Sequence, residues 1–296
     1  MSTMDLVNVD SQAGPVARTG RRRALRRLLR NPLAITGLIV VVVAVLVALL
    51  ANVIAPFGVD HTDFGDALQP PSSAHWFGTD ELGRDQLSRA MFGLRVSLSV
   101  AALSIALSLV LGVPLGMLAG FYRFLDPVVS RVTDMLLAFP FLVLAVGLAA
   151  ILGPSLLTAT TSIGIAGVPA IIRVVRGETL RLRGLDFVAA AVADGAGDLV
   201  LLRRHILPNA VNSLIVQATV AAPAAIIGEA VLSFLGLGIR PPAPSLGGML
   251  ASAQPLFRDG PWLAVFPGVC ILVVALALNV LGDGLRDALD PRETPR

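Results

Sequence analysis

The sequence predicts an all-α membrane protein of six transmembrane helices, and three observations carry that prediction. The 296 residues are 55% hydrophobic and 15% charged, against about 25% charged in an ordinary soluble domain, and the mean hydropathy is +0.80. The apolar residues gather into runs near the roughly 20 residues that a helix needs to cross a hydrocarbon core. All 23 Lys+Arg residues are Arg, and they are divided unevenly between alternate joints.

The elements follow in chain order. Residues 1–32 form an N-terminal tail: 1–20 is polar and aperiodic, as in disordered segments, and "RRRALRRLLRNP" is a basic amphipathic lead-in containing Arg21, Arg22, Arg23, Arg26, Arg27 and Arg30. The first span, 33–56, opens with the run "LAITGLIVVVVAVLVALLANVIA". That run exceeds the usual 7–15-residue core of a cleaved signal peptide, so it reads as an anchor. A polar joint, 57–96, follows. Five more spans, at 97–121, 135–153, 156–173, 211–235 and 262–282, make a core over 97–285. It encloses a joint at 184–209 and another at 236–261, and a tail, 286–296, ends the chain. The fourth span, "LLTATTSIGIAGVPAIIR", is rich in Thr, Ser, Gly and Pro. Those residues are expected inside the bundle, because they are costly facing lipid.

With the N-terminus inside, 18 of the 23 Arg fall in cytoplasmic joints and tails and five in the outer joints. This bias agrees with positive-inside orientation and puts both termini in the cytoplasm of the cell that bears the membrane. In the second span Ser104, Ser108, Gly112, Gly116 and Gly120 recur every fourth residue. That register aligns them on one helix face, a seam for close helix packing in lipid, with a kink expected beside it at Pro114, where proline removes a helix donor. Cys270 sits alone in an apolar run, and His61, His75 and His205 lie far apart. Neither a disulfide framework nor a metal spacing is present. The sequence has no phosphate loop and no nucleophile motif, which argues against a membrane enzyme.

The stretch "DFVAAAVADGAGDLVLLRRHILPN", 186–209, interrupts the spans. It predicts a helix over Phe187–Asp194 capped by Asp186, a break at Gly195 and Gly197, a second helix capped by Asp198, and a stop near Pro208. Phe187, Val188, Ala189, Ala190 and Ala191 lead to Asp194; the alanines favour helix while presenting almost no bulk. In the second limb Arg203 and Arg204 lie where cations suit a helix C-terminus. A helix-turn-helix for DNA is the soluble analogue, but a hairpin tethered between spans with two terminal Arg does not suit nucleic acid.

This segment resembles the cytoplasmic "EAA" loop of bacterial ABC import permeases: EAA, three residues, Gly, nine residues, then I-x-L-P. The register gives Ala189-Ala190-Ala191, Gly195 and His205-Ile206-Leu207-Pro208, with Ala189 in place of the Glu and His205 in place of the Ile. "RNPLAITGL", "HWFGTDELGRDQLSRAMFGLRVSL", "LAFPFLVLAVG", "EAVLSFLGLGIRPPAPSLGGML" and "GDGLRDALDPR" resemble, in order, the C-type subunit of the dipeptide/oligopeptide/nickel branch. The resemblance implies a type I importer permease fold with a cytoplasmic coupling-helix hairpin in a bacterial plasma or inner membrane. It implies a second homologous permease subunit, two ABC ATPase subunits that use ATP and Mg, and an extracytoplasmic substrate-binding protein; this chain itself is expected to bind no cofactor or metal. Peptide is the implied cargo, with nickel, glutathione and haem as alternatives on the same scaffold.

Four further expectations concern side chains. Glu229 is a candidate gate or buried structural pair, because a carboxylate in the apolar layer costs about 2.5–3.5 kcal/mol. Gln217 and Asn279 either touch cargo or bond helix to helix. Asp134 is expected to pair with Arg131. The joint 57–96 carries Asp60, Asp63, Asp66, Asp80, Glu81 and Asp85 without compact ligand spacing, which suits a face for the binding protein, with Arg84 paired to a nearby carboxylate. A secondary transporter would show internal repeats and paired intramembrane charges, and neither is present beyond Glu229.

Overall fold

The computed structural model describes residues 26–289, so residues 1–25, including the polar tail and Arg21 to Arg23, and 290–296 lie outside the described residues. Within them the chain forms α1 (Pro32–Ile54), α2 (Gln86–Phe121), α3 (Asp126–Leu137), α4 (Phe141–Leu152), α5 (Leu156–Arg183), α6 (Asp186–Ala193), α7 (Asp198–Phe234), α8 (Leu246–Ala253) and α9 (Trp262–Leu289). The described residues contain no strand, only an isolated bridge between Thr79 and Asp85. Five helices, α1, α2, α5, α7 and α9, are long and apolar enough to cross a membrane, and α3 with α4 makes a sixth as one bent pair.

That bend corrects the third expected span, 135–153. α3 and α4 meet at 90°, because Pro140 stands as the N-cap of α4 with ψ 133° and a proline disfavours helical geometry in the residue before it. The 12 residues of α4 rise about 18 Å, short of the roughly 30 Å hydrocarbon core. Four other spans run longer than expected: α2 starts at 86 rather than 97, α5 continues to 183 rather than 173, α7 starts at 198 rather than 211, and α9 continues to 289 rather than 282. Hydropathy falls where polar residues begin, but the helices continue through them. Asp85 caps α2, its carboxylate accepting the Ser88 amide at 2.7 Å, and Ser155 caps α5 by accepting the Thr158 amide at 2.9 Å.

The α2–α5 pair is the spine of the fold. A Cβ at Gly112, Gly116 or Gly120 would fall 2.7 Å from the Cβ of Ile171, Val175 or Thr179 respectively, so two four-residue ladders mesh with no space for a methyl group. Toward the other end the Ser104 and Ser108 hydroxyls donate to the Thr160 and Gly164 carbonyls at 3.0 and 2.6 Å. Small residues thus serve twice, by proximity and by hydrogen bonds across the pair. α5 is the most enclosed of the long helices, which fits its polar composition. α1 lies on α9, where Gly37 faces the Ala277 carbonyl at 2.8 Å from its would-be Cβ. Cys270 is half-buried against the main apolar cluster.

At the N-terminal end of α2, the 57–96 joint folds as a polar node. Asp80 accepts from the Leu82 and Arg84 amides and pairs with the Arg84 guanidinium at 2.7 Å. Buried His75 sets Nδ1 at 3.0 Å from Asp85 and stacks on Phe57. α8 fills the 236–261 joint, and Gly247 lies so close to the Ala230 carbonyl that no side chain fits.

Candidate functional site

The hairpin between α5 and α7 is built on Leu185, Gly195 and the first turns of α7. Leu185 takes an extended backbone and starts α6 without a side-chain cap. Asp186 is therefore the first helical residue, not the cap the sequence implied; its charge still suits a helix N-terminus. α6 ends in a Schellman turn: the Gly195 amide bonds the Val192 carbonyl at 3.0 Å, and the Ala196 amide bonds the Ala191 carbonyl at 3.0 Å. Gly195 holds φ at +82°, the left-handed geometry that favours glycine at this position.

The second limb also differs from expectation. Gly197 precedes α7 and Asp198 is its first residue, with its carboxylate accepting from the Tyr122 hydroxyl at 3.0 Å rather than capping. That bond raises the Tyr122 phenol above its ordinary value. Pro208 does not stop the helix. The chain passes through a π-helical stretch, Leu201–Ile206, in which the Leu207 amide reaches back to the Leu202 carbonyl. Pro208 then sits in the first turn of the continuing α-helical part. The wider π turn takes up the residue at which proline supplies no donor, and the Asn209 side chain donates to the His205 carbonyl at 2.6 Å.

The two faces of α6 are distinct. Val188 and Ala191 are buried against Leu201, Ala196 and Phe121, so Ala191 packs inward and is not available for docking as its lack of bulk suggested. Phe187, Ala189, Ala190 and Asp194 are exposed, as are Arg203, Arg204 and Pro208. His205 is half-buried, with its ring 6.5 Å from that of Phe187. Arg183 braces the hairpin on α2, donating to the Phe121 carbonyl at 2.7 Å and lying 5.6 Å over its ring. The result is a small, slim, outward helix on a braced base.

α3 is tied to the same region. Arg176 of α5 pairs with Asp126 through both oxygens, and Arg173 pairs with Asp134 at 2.7 Å. Asp134 therefore does not pair with Arg131 on its own helix; the neighbouring α5 brings the Arg173 guanidinium across instead. Sequence spacing alone could not find that partner.

Inside the bundle lies a chamber of about 420 Å³ between α2, the α3–α4 bend, α5 and α7. Phe139 and Phe141 of the bend, Ile163 of α5 and Val220 and Ala224 of α7 give it apolar walls, while Ser104, Ser108 and Gln217 bring polar groups to it. Glu229 lies elsewhere. It is wholly buried, its two carboxylate oxygens accepting from the Ser97 and Ser233 hydroxyls, the latter at 2.8 Å, so it joins α2 to α7. Asn279 is exposed and donates to the Ala275 carbonyl of its own helix at 3.1 Å, which makes no helix-to-helix bond. Among the described residues no group of His, Cys, Asp or Glu could hold a metal ion.

A bundle of long apolar helices around a chamber, with a slim hairpin outside it, defines a membrane permease. Residues 112–295 match the model of the family described as binding-protein-dependent transport system inner membrane component, and residues 21–71 match the N-terminal TM domain of oligopeptide transport permease C. The chain is 43% identical over 272 residues, 92% of its length and 90% of the other, to the dipeptide transport system permease protein DppC of Alkalihalophilus pseudofirmus. It is 40% identical over 277 residues, 93% of its length and 92% of the other, to the glutathione transport system permease protein GsiD of Pectobacterium atrosepticum. Among solved structures it resembles the MetNI methionine ABC transporter in inward-facing conformations, with a TM-score of 0.56 and 21% identity, over 68% of this chain and 96% of that one. The chain belongs to the binding-protein-dependent transport system inner membrane component family. It is a multi-pass permease subunit of an ABC importer and not an enzyme; ATP hydrolysis belongs to partner ATPases.

Proposed function

We propose that the chain carries dipeptides or short oligopeptides inward, and that α6 is the helix through which ATPase subunits move it. The observation that carries the coupling assignment is the outward face of α6, with Phe187, Ala190 and Asp194 exposed on a base braced by Arg183 and Tyr122. A helix with so little bulk fits into a groove on another protein, and α5 and α7, both leaving the hairpin without a break, carry its displacement into the bundle as a rigid body. The permease pairs with a second homologous subunit, two ATPases that use ATP and Mg, and an extracytoplasmic binding protein that docks on the outer node around Asp80 and His75. Both termini lie in the cytoplasm, as the Arg distribution supports.

The peptide cargo is supported by the likeness to DppC and by an apolar chamber with few polar groups, which suits varied side chains. Glutathione is the second reading, supported by the likeness to GsiD. Uptake of labelled dipeptide and of glutathione by membrane vesicles carrying the complete transporter discriminates them: dipeptide accumulates, and accumulation of glutathione alone would replace the first reading by the second. For coupling, Ala190→Trp places a large ring on the exposed face without touching the core. Uptake is expected to fall about tenfold or more, with ATPase subunits lost on purification, since a well-packed interface core is where bulk changes cost most. Unchanged association and uptake would remove α6 from that role.

A further inference from the structure

The apolar chamber is not fully enclosed. It shares Gln217 and Val220 with a second, more open cavity of about 380 Å³. Asn212 and Ser213 of α7 and Arg286 of α9 bring the polar groups of this vestibule, and among the described residues no carboxylate lines it. Arg286 occupies the last turn of α9 and forms no ion pair among the described residues, although Asp283 and Asp287 lie on the same helix. The two cavities thus adjoin at Gln217 and Val220, with apolar walls in one and a guanidinium, a second carboxamide and a hydroxyl among the lining of the other.

We infer that this vestibule is a binding site for an anionic oxygen group, and that the group is the carboxylate terminus of a peptide leaving the chamber. The inference rests on the peptide reading above. A guanidinium offers paired donors that match a carboxylate in two parallel hydrogen bonds, and Asn212, Ser213 and Gln217 can each donate another. The ammonium end of the same peptide meets no carboxylate on these walls, so the site distinguishes the two ends. Because Arg286 and Asn212 are exposed, water screens the attraction and keeps the hold weak. A station on a path needs that property, since tight binding would stop release. A lipid phosphate presents the same oxygen chemistry.

The test uses the complete transporter reconstituted into vesicles of phosphatidylcholine alone and of phosphatidylcholine with phosphatidylglycerol. Labelled dipeptide uptake is compared for the unaltered protein, Arg286→Gln and Arg286→Lys. Arg286→Gln is expected to lower uptake about fivefold to tenfold in both lipids, less than a fully buried hydrogen bond to a charged group because water screens this one, and Arg286→Lys to retain half or more because the charge remains. Asn212→Leu lowers uptake by a smaller factor and carries the comparison if Arg286→Gln fails to assemble. Equal uptake by the unaltered protein and the neutral variants overturns the inference. A loss confined to vesicles containing phosphatidylglycerol overturns the cargo assignment and gives the vestibule to a lipid headgroup. If the unaltered complex hydrolyses ATP with its binding protein but accumulates no peptide, the peptide reading fails first, before any substitution is made, and the cargo assignment falls with it.

Discussion

Glu229 is held by two hydroxyls from two helices, Ser97 on α2 and Ser233 on α7, in a site with no access to solvent. Buried polar groups cost little when satisfied and much when a partner is removed. Glu229→Ala leaves two buried hydroxyls without their acceptor and opens a void, so it is expected to destabilise the subunit by about 2–4 kcal/mol. Ser233→Ala removes one of the two donors and should cost about 1–2 kcal/mol. Unfolding of the purified subunit in detergent measures both; near-equal stability of Glu229→Ala and the unaltered protein would show that the node does not hold α2 to α7. Gly195 contrasts with this. Nothing lies within 4 Å of its would-be Cβ, so a substitution meets no clash, only the cost of its positive φ. Gly195→Ala is expected to weaken the α6 turn by about 1 kcal/mol, visible as faster amide exchange in α6 while the spans stay protected.

The α2–α5 spine sets a sharper contrast at the scale of elements. Gly116→Val pushes a branched side chain into Val175, whose Cβ would lie 2.7 Å away, and the two helices must separate over several turns. A loss of about 3 kcal/mol or more is expected, in the range of severe overpacking. Gly177 lies on the same α5 with open space around its would-be Cβ, so Gly177→Ala should stabilise by up to about 1 kcal/mol through helix propensity. Thermal unfolding of the two variants in one detergent should move them in opposite directions. This seam was legible in the sequence because a four-residue period is a property of one helix, and Ser104 to Gly120 display it without reference to a partner. The α3–α4 bend was less legible: "LAFPFLVLAVG" is apolar throughout, and only Pro140 marks the turn. The π stretch at Leu201–Ile206 carries no compositional signal, so Pro208 read as a terminator. The Asp134–Arg173 pair was invisible because it depends on which helices adjoin. The hairpin's place and glycine turn were readable from residue types alone, but its inward and outward faces needed Leu201 and Phe121 beside Val188 and Ala191.

At the scale of the molecule the proposed coupling role makes the hairpin the end of a lever. α7 runs 37 residues from Asp198 to Phe234, a rise of about 55 Å, from the outward helix α6 to the Glu229 node. A displacement at α6 reaches the chamber walls at Val220 and Ala224 only if α7 transmits it without slipping. The π stretch is where slip is cheapest, because a π turn is an α-helix carrying one extra residue and its hydrogen bonds are poorer. Deleting Arg203, an exposed residue within the stretch, lets the remaining residues close into an α-helix with no loss of buried side chain. Because the wide turn already absorbs one extra residue, its removal leaves the flanking parts of the helix in nearly the same rotational phase, so α6 keeps its outward face while Val220 and Glu229 stay in place. We therefore predict a folded, membrane-inserted subunit with normal detergent stability whose uptake stays near that of the unaltered protein. Replacement of Arg203 by Ala, which keeps the residue count, should retain most of the uptake. Loss of uptake in both variants would mean that the guanidinium itself matters; loss in the deletion alone would overturn the prediction and mean that the wide turn is itself needed for motion to pass along α7.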